Sequence, residues 1–171
     1  AGCIITLGGD GTNRAVAKGC GYVPLLPLST GTNNAFPVMV EGTLAGLAAA
    51  VVALNPEGVR AAAVRLARRL DVLWNGERVD LALVDVVVSN ERFVASRAIW
   101  TADSMRAVVV ASVRPGTIGA SAIAGFLPEA ARHIGQGAWI EVGPGGREVL
   151  APIAPGLIER VPVRSVRWLA V

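Results

Sequence analysis

The sequence predicts an α/β segment running into a β-rich one, and three observations carry that prediction. Two short apolar stretches, Cys3–Leu7 and Val23–Leu28, each open into a polar loop containing glycine. Those loops lie about twenty residues apart, the spacing of one strand, helix and strand unit. From Arg69 onward the pattern changes to Val- and Ile-rich runs separated by turn signals.

Taken in order, Cys3–Leu7 reads as a buried strand that stops at Gly8 and Gly9. Asn13–Lys18 should begin a short helix capped by Thr12 or Asn13, with Gly19 and Gly21 ending it. Pro24 and Pro27 frame a short second strand. Pro37 permits a first helical turn, and Glu41–Leu54 has the small apolar residues of a buried helix. Asn55-Pro56-Glu57-Gly58 breaks the chain before a further helix over Val59–Leu66, with Arg60, Arg65 and Arg68 on solvated positions.

Asn75-Gly76, between Asp71–Trp74 and Glu77–Val79, predicts a tight hairpin. Leu81–Val88, Arg92–Ile99 and Met105–Val113 then read as successive strands. Trp139–Val142 and Val149–Ala151 follow as later strands, with Pro144-Gly145-Gly146 as the turn between them. The boundary is placed so that residues 1–68 form the α/β part and 69–171 the β-rich part.

The two loops carry the chemistry. Gly8, Gly9 and Gly11 can adopt backbone angles closed to other residues, so a phosphate chain could lie against their N–H groups. Asp10 is the one charge in that turn, and a carboxylate repels phosphate. It makes sense as a base or a metal holder, or, more plainly, as a helix cap. In an open parallel sheet, ligands bind beyond the carboxyl ends of adjacent strands. Both loops should therefore border one crevice, with Thr30, Gly31, Thr32, Asn33 and Asn34 offering uncharged hydrogen bonds or simply a capped helix entry. Asp85 lies inside the apolar run Leu81–Val88, where a carboxylate requires a partner or a ligand.

Gly8-Gly9-Asp10-Gly11-Thr12 followed by Pro27-Leu28-Ser29-Thr30-Gly31-Thr32-Asn33-Asn34 resembles the superfamily of NAD kinases, diacylglycerol kinases and sphingosine kinases. Within it, Gly8–Gly21, Ser29–Pro37 and Val149–Leu157 are most similar to the NAD-kinase-like X proteins of acetoin catabolism. The resemblance implies a partial α/β nucleotide-binding domain followed by a β-sandwich-like domain. It implies phosphoryl transfer from ATP, with Mg²⁺, to a hydroxyl, NAD being one candidate acceptor. Asp10 takes the role of general base in that comparison, and Gly8, Gly9, Gly11 and Thr12 hold the donor phosphates. Asn13 is a neutral donor beside phosphate or a helix cap.

The departures are specific. Val84 stands where NAD kinases have Asn, which leaves Asp85 a ribose contact without a base contact. Arg114–Gly125 resembles the Thr-Pro-Thr-Gly-Ser-Thr-Ala-Tyr loop without its Tyr, and Arg114 is an added cation, either a phosphate partner or a solvated side chain. Gly156 replaces a His in the segment Ala151–Gly156, and Asn34 replaces the Asp of lipid kinases. Rival readings are a lipid or small-alcohol kinase and a nucleotide-binding regulatory subunit without turnover. The resemblance also implies strands ahead of the glycine turn and an Asp-Gly-Glu-like element near the end of a complete C-terminal domain. The sequence has neither, so a fragment of a longer chain is expected, with family-type assembly through the β-rich part.

Composition bounds the alternatives. Hydrophobic residues make up 53% and charged ones 17%, so much of the chain should be interior. No apolar run reaches the roughly eighteen residues of a membrane span, and no basic, then apolar leader is present. The net charge of +3 is scattered over arginines without interleaved aromatics, which argues against a nucleic-acid partner. Cys3 and Cys20 suggest a reducing, cytoplasmic setting, and His133, the single histidine, supports no catalytic relay. No zinc-type ligand spacing occurs.

Overall fold

Strand β1 (Ile4–Leu7) pairs in parallel with β2 (Leu25–Leu28), in register from Ile4 opposite Leu25 to Leu7 opposite Leu28. The computed structural model describes residues 1–55, 58–92 and 101–170. Helix α1 (Asp10–Ala17) makes the crossover, and Gly21, at φ +56, turns the chain back toward β2. Val38 then bridges Leu28 in parallel, so the chain past the second loop runs extended beside β2. That replaces the helical turn expected at Pro37.

Helix α2 (Gly42–Leu54) begins where Glu41 caps it, the carboxylate accepting the Thr43 and Leu44 amides at 2.9 Å each. Both β1 and α2 were expected to be buried, and both depart from that. In β1 Thr6 is buried while Leu7 is 70% exposed. In α2 only Ala45 and Ala49 are buried, one turn apart on the side that packs on β2. Leu44, Leu47, Val51 and Leu54 face outward, because no described element covers that side. Helix α3 (Gly58–Ala63) is shorter than the run expected there.

The remaining described residues are mostly sheet. β3 (Leu70–Trp74) and β4 (Glu77–Ala82) form a hairpin about Asn75 and Gly76, at φ +52 and +86, the doubly left-handed turn that this dipeptide favours. β5 (Asp85–Ser89), β6 (Met105–Val110), β7 (Gly137–Ala154) and β8 (Leu157–Leu169) make an antiparallel sheet in that order. The expected strand Leu81–Val88 is thus two strands in two sheets, parting at Leu83 and Val84. The strand expected over Arg92–Ile99 lies almost wholly outside the described residues, as does the centre of the break at Pro56 and Glu57.

Pro144-Gly145-Gly146 is not a turn between strands. Both flanking runs lie on β7, where Val142 and Arg147 each align with Val163 and the intervening residues bulge outward. Gly146 is required there: a Cβ would come within 2.5 Å of the Val163 carbonyl carbon. The core fills the face of this sheet against the short helix α4 (Ala122–Gly125), with Met105, Val108, Val110, Ile123, Ile140 and Val161 fully buried. Burying six such side chains contributes on the order of 10 kcal/mol before entropy is counted. The architecture is mixed α/β, weighted toward sheet.

Candidate functional site

Helix α1 begins at Asp10, capped by the backbone of Gly9, so the helix starts three or four residues earlier than a cap at Thr12 or Asn13 would have placed it. Its first residue does not cap it. The Asp10 carboxylate turns across to the loop after β2 and accepts two backbone amides, Ala35 at 3.0 Å and Phe36 at 2.8 Å. Asn34 completes the joint: its Oδ1 accepts the Asp10 amide at 3.4 Å, and its Nδ2 donates to Ser29 Oγ at 2.8 Å. The two glycine-containing loops are therefore neighbours at the carboxyl ends of adjacent parallel strands.

The glycines act by size and not by unusual angles, since none of Gly8, Gly9 and Gly11 has positive φ. A Cβ on Gly8 would collide with the Thr12 side chain, and one on Gly9 would sit 2.6 Å from Asn34 Oδ1. Gly9 thus lets the two loops touch, while Gly8 leaves room for Thr12 of the helix's own first turn. Gly11 differs: an added Cβ would meet nothing within 4 Å, because the residue opens onto a cavity.

That cavity, of about 330 Å³, is lined by Asp10, Gly11 and Arg14 on one side and by Asp85, Gly119 and Ala120 on the other. Asp85, the first residue of β5, is half-buried and its carboxylate accepts the Ser121 amide at 2.9 Å. Burial pushes its carboxyl above the ordinary range; the Ser121 amide opposes the shift, and the charge on Asp10 adds to it. The two acids thus feel one another across the cavity.

Arg14, which the sequence reading passed over, fastens this region to the hairpin. It donates to the Leu81 carbonyl at 2.7 Å and pairs with Asp80, which Lys18 also contacts at 2.8 Å. The lysine and the Leu81 amide hold the Asp80 carboxyl down to about 2. A basic residue one turn along from the glycine turn was the available signal. Its acidic partner, sixty-six positions away, left none.

The other expected site residues divide. Asn13 is fully buried and faces inward, accepting from Thr6 at 2.5 Å and donating to the Gly9 carbonyl at 2.9 Å, so it neither caps α1 nor meets the cavity. Thr12, Thr30, Thr32 and Asn33 are exposed, and none of them lines the cavity that holds Asp10 and Asp85. Gly31 and Asn34 are half-buried parts of the loop's own hydrogen bonding. Arg114 donates to the Ala35 carbonyl at 3.1 Å, tying the loop after β6 to the loop after β2. Cys3 and Cys20 are unpaired, half-buried thiols.

Among the described residues no group of three or more His, Cys, Asp or Glu side chains could hold a metal ion, and no helix is long and apolar enough to cross a membrane.

Comparison with known proteins identifies the family. The family model for the ATP-NAD kinase N-terminal domain matches residues 1–55, and that for the acetoin catabolism protein X C-terminal domain matches residues 68–171. Acetoin catabolism protein X of Cupriavidus necator is 47% identical over 94% of this chain, which spans 46% of the length of that relative. No solved structure matches the chain significantly. The chain belongs to the acetoin catabolism protein X family, its first fifty-five residues being of the NAD kinase type.

Proposed function

We propose that the chain forms the nucleotide site of an ATP-dependent phosphotransferase of NAD kinase type, which passes a phosphoryl group to a hydroxyl, with the 2′-hydroxyl of NAD as first candidate. The observation that carries this reading is the grip on Asp10. Two backbone amides fix its carboxylate at the edge of a cavity that Asp85 borders from the other side. Each carboxylate oxygen has a second lone pair, so a carboxylate held by two amides still accepts a proton from a hydroxyl placed beside it.

Bound Mg-ATP would supply the phosphoryl group and neutralise its charge. The residues of this chain do the rest. Gly11 gives the phosphates room, Asp85 accepts a ribose hydroxyl and Asp10 takes the acceptor's proton. The division of the chain near residue 68, and a reducing intracellular setting for its two free thiols, belong to the same proposal. The name of the relative extends it to acetoin catabolism.

The test uses the full-length protein. Incubation with Mg-ATP and NAD should give NADP, and Asp10→Asn should abolish it. Product formation undiminished in that variant removes Asp10 from the chemistry.

One observation favours a second reading, a nucleotide-binding regulatory subunit. Both oxygens of Asp10 already serve to hold the loop, which gives the residue a complete structural role. Intact ATP binding with no product from NAD or from other alcohols would select that reading.

A further inference from the structure

A second, smaller cavity of about 170 Å³ adjoins the first and shares Ala35, Leu83 and Val84 with it. Its chemistry is different. Where the larger cavity presents two carboxylates, the smaller one is lined by two guanidinium side chains, Arg68 and Arg114, and by the hydroxyl residues Ser112, Thr117 and Ser121. No acidic residue lines it. Neither arginine forms an ion pair with a described residue, and the Arg114 side chain has one described hydrogen bond, from Nη1 to the Ala35 carbonyl. Arg68 was expected on a solvated position; the structure places it half-buried in the wall instead.

The second observation is Ser121. The residue is 3% exposed, and its hydroxyl has no hydrogen-bond partner among the described residues. It lies close enough to Asp85 to favour that carboxylate's charged form slightly, yet no acceptor stands in hydrogen-bonding geometry to it. A buried hydroxyl without a partner is costly to keep unless something arrives to satisfy it. Two cations and an unsatisfied donor around a space of this size match a single anionic group, a phosphate or a carboxylate.

We propose that this smaller cavity is an anion subsite, and that the phosphoryl acceptor is an alcohol carrying its own phosphate or carboxylate, seated there while its hydroxyl faces Asp10. The anion site stands on the cavity itself; only its assignment to the acceptor rests on the phosphotransferase reading. Gly11 opens onto the larger cavity, so the donor phosphates and the acceptor's anion occupy different places. Neutral alcohols are thereby excluded as good acceptors.

The test measures binding to the full-length protein at constant ionic strength and without ATP, using inorganic phosphate and acetate as probes in separate titrations. At least one should bind saturably. Arg68→Gln and Arg114→Gln should each weaken it roughly three- to tenfold, since Arg114 is exposed and Arg68 only half-buried, which keeps the effect below that of a buried pair. Ser121→Ala should weaken it about twofold to fivefold, while Arg132→Gln, which removes the same charge from an exposed position elsewhere, should not.

Arg68→Gln keeps the test decisive if Arg114→Gln disturbs the loop through the Ala35 carbonyl. Preference for phosphate or for acetate identifies which anion the acceptor carries. Failure of both to bind, or equal weakening by Arg132→Gln, overturns the subsite. If an anion binds as expected and no phosphoryl transfer occurs, the kinase reading fails and the subsite stands.

Discussion

Asp10 and Phe36 meet through a carboxylate to backbone amide hydrogen bond of 2.8 Å, made across twenty-six positions of sequence between the loops that end two parallel strands. The same carboxylate takes the Ala35 amide. Replacing Asp10 therefore has a structural consequence as well as a chemical one. In Asp10→Asn one oxygen becomes an amide nitrogen facing an N–H donor, which should cost about 1–2 kcal/mol. NADP formation by the full-length protein should fall at least ~100-fold. Hydrogen exchange at the Ala35 and Phe36 amides separates the two effects: unchanged protection there would show that the grip is dispensable.

Gly9 and Gly11 of the turn should respond differently to alanine. Gly9→Ala drives a methyl toward Asn34 and should destabilise by about 1–3 kcal/mol. Gly11→Ala meets nothing, stands in the first turn of α1 and should stabilise by up to ~1 kcal/mol, while weakening ATP binding by intruding on the cavity. Thermal unfolding and nucleotide titration of both variants would check this. Equal destabilisation by both would mean that the loops do not approach as described.

Asp85 should give an acid-side pH dependence of distinctive sign. Its native carboxyl titrates above the ordinary value of 3.8, chiefly through burial. Between that value and the raised native one, the folded protein binds a proton that the unfolded chain has released. Stability consequently falls as pH rises through this window, and the deficit persists above it. Asp85→Asn keeps an acceptor for the Ser121 amide without the charge. It should be more stable than the parent at pH 7, lose that pH slope, and bind nucleotide about fivefold more weakly. Urea unfolding between pH 4 and 7 reads the first two effects, and an unchanged slope would contradict the assignment.

Asp80 has the opposite sign. Lys18, the Leu81 amide and Arg14 hold its carboxyl down to about 2, against 3.8 for the free group. Whatever stability it contributes is complete above 3.8 and disappears as pH falls through about 2. Its side chain and those of Arg14 and Lys18 all reach solvent, so that contribution is small. Carboxyl NMR should place its midpoint near the lowered value, and Lys18→Gln should move it back up. A midpoint near 4 in the parent would mean that the α1 to β4 tie is not formed in solution.

The bulge of β7 offers a test of the sheet. Gly146→Ala should cost about 2–3 kcal/mol, because the methyl would press on the Val163 backbone. Chemical denaturation would read this directly.

What could be read in the sequence was whatever depends on near neighbours. Asn75-Gly76 specifies its own hairpin, and Glu41 marks the start of α2. The adjacency of the glycine turn and the Ser29–Asn34 loop follows from one parallel strand, helix and strand unit. The misreadings have a common cause in partners that are distant or are backbone. Leu81–Val88 is apolar throughout, and nothing in such a run marks where a chain leaves one sheet for another. Pro144-Gly145-Gly146 has turn composition, but pairing with β8 carries the strand straight past it. The amides that hold Asp10 have no residue signature at all, and neither did the inward rotation of Asn13. Arg68 and Arg114, scattered in sequence, become neighbours only across the smaller cavity.

The double duty of Asp10 has an outcome for how relatives should be sorted. A member that had given up turnover would still suffer a slack joint between its first two loops on losing that acid, so selection for folding alone would preserve it. Its presence in a homologue consequently bears no witness to activity, and a census of working enzymes should be drawn from the residues around the empty spaces instead.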